Sequence, residues 1–583
     1  MVATATLATT YARPAGLTKQ GAAAPDLAFF RRHYPLTVQN LGTLPLREEW
    51  LRMVWEADEG WRAAIDTRGG RPDCAEVIVS GRPPAGAEVE AEVDVVYAGG
   101  GLGLLHAAVL ACRYGRRVLV FDSGAVGRAG RDWNLSDEEL KEFERAGLFT
   151  AAELERAVVN RCGRGGIVKF HDKTSRVKSD PLWVSGVLDV AVCADALLDL
   201  AADKIRREGP KGCLLLDGLR FVRAYVEREH VTVEAEGPGG ARRYFRARLF
   251  ADATGASSPV ARQLNGGRGA THVCTAVGTV ASGFGRGAER DEVAFDAAEI
   301  LVSTEDAGEH RQLIWEGFAG SPRADEYTTR LFFYDTVESA ADKSLLSLYE
   351  RYFESLPGYK RRGAGWRVRR PVFGHVPVVR RRHWREREVR TADRVLTLGG
   401  AAGAASPLAF SGFGAQVRNL GRLARLTEQA LRADATDDAG LARVSAREPG
   451  AAQTSGLADF MRPAARSKPQ AVNETMNAVT AALHLLDERV RRELFQDRLS
   501  FASLRGLLAK TARVYPGIFA RVREHLGARG TLCWLADVFE SLRSERRGPA
   551  EEDDTAAAAG RGELESDCSG ATPHETPARA ALD

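Results

Sequence analysis

The chain has 583 residues, 44% of them hydrophobic and 27% charged, enough for two or three packed units with a substantial core. Its formal charge of +3, from 81 Lys and Arg against 78 Asp and Glu, argues against a dedicated nucleic-acid binder, whose basic surplus is normally obvious. Eight cysteines without any C-x-x-C spacing indicate neither a zinc site nor a disulfide framework, so no metal is expected and the thiols read as those of a reduced, cytosolic protein.

In chain order, residues 1–25 carry no acid and are rich in Ala and Thr. They read as an unstructured start, with a plastid transit peptide as the alternative. Leu27–Arg62 reads as helical, with Trp50, Leu51, Val54 and Trp55 forming an apolar stripe. After a Gly-Pro loop at Gly81–Gly86, an apolar strand (Val93–Ala98), a glycine turn, a helix (Leu104–Tyr114) and a second strand (Arg117–Phe121) make a mononucleotide-binding unit. A helix is expected over Val187–Arg207, and strands over Phe221–Ala235 and Ala241–Ala251. Strand signals dominate from about Thr271 to Arg390, at Cys274–Val280, Glu299–Thr304, Gln312–Gly317 and Thr328–Tyr334, interrupted by a helix at Asp342–Glu354. Beyond the glycine-rich Gly399–Gly414 the chain reads as helical, and from about Arg546 as a disordered tail. No apolar run reaches the ~18 residues of a spanning helix.

Three motifs carry cofactor chemistry. In the first, Gly99, Gly100, Gly101 and Gly103 let the backbone turn sharply and approach a pyrophosphate at a helix N-terminus. Asp122 closes the next strand, where an acid holds a ribose hydroxyl. Leu104 stands where the G-x-G-x-x-G template has its third glycine. The second is a strand ending in Asp252-Ala-Thr-Gly255. The third is Gly399-Gly400-Ala401 after a strand, followed by Pro407, Gly412, Phe413 and Gly414. It resembles the Gly-Asp-Ala-Ala of flavin hydroxylases and geranylgeranyl-reductase relatives, with Gly400 in place of the Asp. Restoring that carboxylate by Gly400→Asp is expected to tighten FAD.

Beyond this shared grammar, Gly127–Ser136, with Arg131, Trp133 and Asn134, and Ser406–Gly414 resemble segments of the CruA/CruP-type lycopene cyclases. So do Ser303–Asp306, Leu313–Phe318, Phe460–Pro463 leading to Val472-Asn-Glu, and the opening Tyr34-Pro. The likeness spans roughly residues 27–545. It implies an α/β fold: a Rossmann-like, hydroxylase-type FAD-binding domain at 93–270 with 391–440, an inserted β-rich substrate domain at 271–390, and a helical C-terminal region at 441–545. Residues 1–92 form an extension and 546–583 a tail. It also implies cyclisation of the ψ-ends of lycopene, a non-redox reaction requiring reduced FAD, for which NAD(P)H is one candidate external reductant; Arg131 with Trp133 and Asn134 reads either as lining the flavin or as a structural loop.

Such cyclisation needs an acid to protonate an alkene, a low-dielectric slot, and stabilisation of positive charge. Glu316 is the first candidate acid, because period-2 alternation puts it on one face with Ile314 and Phe318. A solvated Glu316 with Trp315 turned to the core is the competing reading. Glu305 and Asp306 are weaker candidates. His375 reads as a strand histidine, and the basic run Arg361–Arg390 as a solvated loop, a phosphate contact or a lipid contact. The apolar repeat from Val472 to Leu494 reads as a core-facing stripe. Ser500–Leu526, mixing Leu and Phe with Arg and Lys, reads either as packed on the body or as a peripheral membrane contact on the inner face. Two other functions share the cofactor motifs: an FAD-dependent isoprenoid reductase or monooxygenase, and a non-catalytic CruP-like flavin- or carotenoid-binding paralogue.

Overall fold

The computed structural model describes residues 25–65, 76–129, 132–308, 311–379, 383–385, 388–403, 408, 411–444, 457–463 and 468–546. Two large sheets organise them. The first runs in the order Ile78–Ser80, Arg220–Val226, Val231–Glu236, Arg242–Asp252, Val89–Ala98, Val118–Phe121, Leu214–Leu216, with Val395–Thr397 beside the end of Arg242–Asp252. Its centre is parallel, and the strand residues Val95–Ala98 are all buried, as a parallel sheet covered on both faces requires. Leu102–Tyr114 packs against one face with Gly412–Arg432 and Ala194–Glu208. Leu104 is fully buried there, so the departure from the glycine template fills the interface between helix and sheet.

The second sheet runs Arg362–Val378, His272–Phe284, Tyr327–Thr336, Ile314–Ala319, Ala298–Val302, Gly166–Lys169, Leu182–Val184. The last two strands come from the stretch that the sequence alone assigns to the first domain. A small third sheet pairs Val190–Cys193 with Asp132–Leu135 and Val158–Arg161. This corrects the expected helix at Val187–Arg207: the β-branched Val190-Ala-Val-Cys193 run pairs as a strand, and the helix begins only at Ala194. The helix expected at Asp342–Glu354 spans Leu345–Tyr359, capped by the Ser344 hydroxyl.

Both faces of the second sheet are covered. On one, Trp315, Leu331 and Phe333 pack with Leu345–Tyr359 and with Val54 and Trp55 of the N-terminal helix Arg47–Ile65. On the other, Ile314, Phe318, Phe332 and Tyr334 pack with Met476, Leu483 and Leu494 of the C-terminal helices. The Val472–Leu494 stripe therefore faces the core. His375 is buried on the N-terminal-helix side, its ring stacked on Trp61 at 4.2 Å and its Nε2 2.9 Å from the Lys343 carbonyl. That is a packed strand histidine. Much of the basic run is likewise committed: Arg361 pairs with Glu292, Arg369 donates to the Ser282 hydroxyl, and Arg370 pairs with Asp132. Arg380–Arg382 lie outside the described residues.

Candidate functional site

At the C-terminal edge of the first sheet the three glycine motifs meet. A methyl group on Gly99 would lie 2.2 Å from the Ala253 carbonyl oxygen, and one on Gly103 2.7 Å from the Ala253 Cβ. Gly99, at φ 113°, also needs the freedom only glycine has. A Cβ on Gly399 would lie 3.5 Å from Leu102, and one on Gly400 2.9 Å from the Ala256 nitrogen. Gly99 and Gly400 thus sit directly against the backbone of the Ala253–Ala256 loop, and Gly103 against its Ala253 side chain.

What these loops leave open is the start of Leu102–Tyr114. No side chain caps that helix, its first turn holds no acid, and nothing lies within 4 Å of where a Cβ on Gly101 or Gly255 would point. Among the described residues no side chain accepts from the first turn, and the positive end of the helix dipole lies where Gly101 and Gly255 leave space, the arrangement that receives a phosphate. Asp122 holds the loop in shape by accepting from the Gly100 nitrogen (2.7 Å) and the Gly124 nitrogen (2.8 Å). Each carboxylate oxygen retains a second lone pair for a hydroxyl. Asp252 is fully buried and bonds Thr254 and Ser258; it shapes the second loop from within.

The expectation for Gly400→Asp is corrected here. The position faces the Ala256 backbone rather than open space, so a carboxylate there has no room without moving that loop. The substitution should destabilise the chain by about 1–3 kcal/mol, the usual cost of overpacking. It should lower rather than raise flavin retention, which thermal melting and the flavin-to-protein absorbance ratio would measure.

Trp133 lies against Phe413 with ring centroids 4.3 Å apart, joining the Asp132–Leu135 strand to the start of Gly412–Arg432. The Asn134 amide nitrogen is buried without a partner among the described residues. Gly414 makes room for the Glu139 carboxyl, which a Cβ would approach to 2.4 Å. Gly412 opens the long helix, and Ala401 is buried in the turn that Gly399 begins. Arg131 and Pro407 lie outside the described residues.

Glu316 is fully buried on the sheet face shared with Ile314, Phe318, Phe332, Tyr334 and Cys274. Trp315 faces the opposite core, so the two competing readings of this strand resolve together: Trp315 and the carboxyl are both inside. Arg330, the cross-strand partner of Glu316, brings Nη1 to 3.4 Å from Oε2. Oε1 has no hydrogen-bond partner among the described residues. Burial raises the Glu316 carboxyl to about 7 against the smaller, opposite pull of Arg330. Arg330 was missed in the sequence; its signal was a cation on the neighbouring strand, whose register only the pairing reveals. Glu305 and Asp306 sit in another setting. Glu305 is 38% exposed and pairs with Arg351 at 2.7 Å, and Asp306 accepts from the Thr174 hydroxyl at 2.8 Å. Neither lies in a dry pocket.

No family profile matches the chain. No curated protein matches it. Among solved structures it is similar to a substituted form of halogenase PltM in complex with FAD, at 16% identity over 76% of this chain and 96% of that one, with a TM-score of 0.51. It is similar to halogenase PltM in complex with phloroglucinol and FAD over the same shares, with a TM-score of 0.50. A geranylgeranyl bacteriochlorophyll reductase-like protein from Thermoplasma acidophilum matches at 15% identity over 74% of this chain and 99% of that one, with a TM-score of 0.49. Likeness at such identities concerns the fold: the chain shares the α/β fold of halogenase PltM, with a mostly parallel sheet and a second, antiparallel-rich sheet.

Proposed function

We propose that the chain is an FAD-dependent enzyme acting on an apolar isoprenoid, and that its reaction is proton-initiated cyclisation of the ψ-ends of lycopene. The observation that carries this reading is the Glu316 carboxyl, buried among apolar side chains with one oxygen unpartnered. The convergence of the three glycine motifs and the sequence resemblance to lycopene cyclases support it.

The residues present fit FAD at its phosphate end. The uncapped start of Leu102–Tyr114 and the open space at Gly101 and Gly255 would hold the pyrophosphate, and Asp122 a ribose hydroxyl. Reduced FAD, when bound, would supply the negative charge that favours a developing carbocation. The protein supplies the proton. Glu316 gives its proton to the terminal alkene carbon, and the cationic carbon is attacked by an internal double bond, closing the ring. A proton then leaves the ring and returns to the carboxylate, so substrate and product are isomers and no electrons are exchanged. Arg330 offsets the transient negative charge on Oε2. Phe318, Phe332 and Ile314 exclude water that would quench the cation, and aromatic faces favour it. Expression in lycopene-accumulating bacteria tests the reading: cyclic carotenes should appear, and unchanged lycopene would argue against it.

A second reading is an FAD-dependent reductase or monooxygenase, favoured by the likeness in fold to FAD-bound halogenase PltM. It requires NAD(P)H to be consumed in proportion to product.

Peripheral membrane contact belongs to the same proposal. No helix among the described residues is long and apolar enough to cross a bilayer. Yet Phe519, Leu532 and Phe539 on Ile518–Arg546 are 69%, 56% and 58% exposed, Arg523 is exposed on the same element, and Arg505 and Arg513 are exposed on the preceding helix, Phe501–Val514. The protein should float with anionic liposomes and be released by salt. Replacing the three apolar residues by Ser should weaken that partition at least ~10-fold, given ~1.5–3 kcal/mol for each large apolar side chain buried. A parent chain that stays in the aqueous phase at low salt would remove this contact.

A further inference from the structure

Glu316 shares its sheet face with two cations. On the strand His272–Phe284, Gly278 pairs with Arg330 and Val280 with Arg370, so both arginines rise from the face that carries Glu316. A Cβ on Gly278 would lie 3.1 Å from the Arg330 Cγ, so the Arg330 side chain lies over the strand that separates the two cations. Asp132, from the small third sheet, closes the row. Its carboxyl is 3.2 Å from the Arg370 Nη2, and a Cβ on Gly320, the residue after the Glu316 strand, would lie 3.5 Å from it.

Arg330 holds Glu316 more loosely than the pair permits. A guanidinium facing a lone carboxylate closes into a two-bond fork. Here only Nη1 approaches, to 3.4 Å from Oε2, and Arg330 Nε and Glu316 Oε1 are buried without a hydrogen-bond partner among the described residues. Asp132 supplies the competing charge. Burial pushes its carboxyl up, and the Arg370 and then the Arg330 guanidinium pull it back, so Arg330 is shared between two acids. The other groups facing this row among the described residues add no cation. Cys274 and Tyr334 on the same face, and Tyr359 from the helix on the opposite face, are kept neutral by burial. Asp497, on the helical side, accepts from the Ser411 hydroxyl and acts on Tyr334. Asp195 adds negative charge beyond Asp132.

We propose that Asp132 is a positioning residue for the acid: with Arg370 it holds the Arg330 guanidinium off Glu316, near enough to stabilise the carboxylate that forms and too far to displace the proton beforehand. This rests on the reading of Glu316 as the proton donor and adds the residue that keeps the donor loaded.

The test reads Glu316 directly, by the infrared carbonyl band of its neutral carboxyl in the full-length protein, assigned by its absence in Glu316→Gln. In Asp132→Asn, Arg330 should close on Glu316, and the midpoint of the band should fall by about 1 pH unit, the lower end of what an adjacent opposite charge does to a carboxyl. Ring formation should then drop ~10-fold at pH 8 and stay near the parent rate at pH 5, because only the protonated acid reacts. Asp132→Glu should restore the parent midpoint. Arg330→Gln alone should raise the midpoint, and in its background Asp132→Asn should no longer move it. Arg370→Gln, which leaves Asp132 to Arg330 alone, should also raise the midpoint and carries the test if Asp132→Asn does not fold; an unmoved midpoint there would overturn the proposal. So would an unmoved midpoint in Asp132→Asn, or one that moves equally with and without Arg330. The band needs no turnover. Midpoints that move as stated in a chain that forms no rings would sink the cyclisation reading alone, and ring formation with unmoved midpoints would sink the positioning role alone.

Discussion

Glu316→Gln is expected to lower ring formation by the ~10²–10⁴-fold typical of removing a general acid, with flavin content and melting temperature at neutral pH no lower than those of the parent chain. The amide keeps the size of the side chain and leaves nothing charged to desolvate, but has no proton that can be delivered to a carbon. The environment explains why this position serves. A carboxyl in water is ionised near neutrality; at Glu316 burial raises it to about 7, so a substantial fraction carries its proton at physiological pH. Glu305→Gln is the control. Its carboxyl is tied to Arg351 at a partly exposed site, and its loss should change the rate little. An undiminished rate in Glu316→Gln would make Glu316 structural and move the search to Asp306 or to the flavin itself.

The second large effect is on stability. The Glu316 carboxyl titrates at about 7 in the folded chain and near its usual value of 4.5 when unfolded. Between these limits the folded state keeps a proton that the unfolded state has lost, so stability falls as pH rises through the window from about 4.5 to about 7. The full penalty, about 3 kcal/mol at 1.36 kcal/mol per pH unit, then applies above about 7. Asp58, which caps Leu345–Tyr359 through Ser344 and Leu345 and is also raised to about 7 by burial, contributes with the same sign. His375 and His106, lowered by burial to about 3 and about 4, act oppositely, costing stability as pH falls below the ordinary histidine value of 6.5. The raw profile therefore mixes several groups, and the difference between variant and parent isolates one. Urea denaturation should show Glu316→Gln gaining on the parent by about 3 kcal/mol from pH 4.5 to pH 7.5. A flat difference would mean that Glu316 is solvated.

Much of this site was legible in the sequence because its signals are local. Gly99, Gly100, Gly103 and Gly400 mark turns that a Cβ would crowd, and the alternation Ile314, Glu316, Phe318 is written within five consecutive residues. What was not legible depends on partners remote in the chain. Gly166–Lys169 and Leu182–Val184 are too short to signal a strand, and they gain their place in the second sheet only by pairing with Ala298–Val302 and with each other. Gly400 reads as a missing carboxylate until the Ala256 backbone is seen against it. Glu305 and Asp306 read as acids until Arg351 and Thr174 are found beside them. Trp315 and Glu316 competed for one core because nothing in a single strand shows that the sheet is covered on both faces.

The most direct measurement combines product and reductant. Purified protein, lycopene in anionic vesicles and FAD, reduced anaerobically by NADPH or dithionite, should yield cyclic carotene at the same rate with either reductant. NADPH use should stop once the flavin is reduced, while rings continue to form. Product accumulating in fixed ratio to NADPH consumed would contradict cyclisation and establish the redox reading. No conversion of lycopene by a flavin-loaded chain would contradict cyclisation outright.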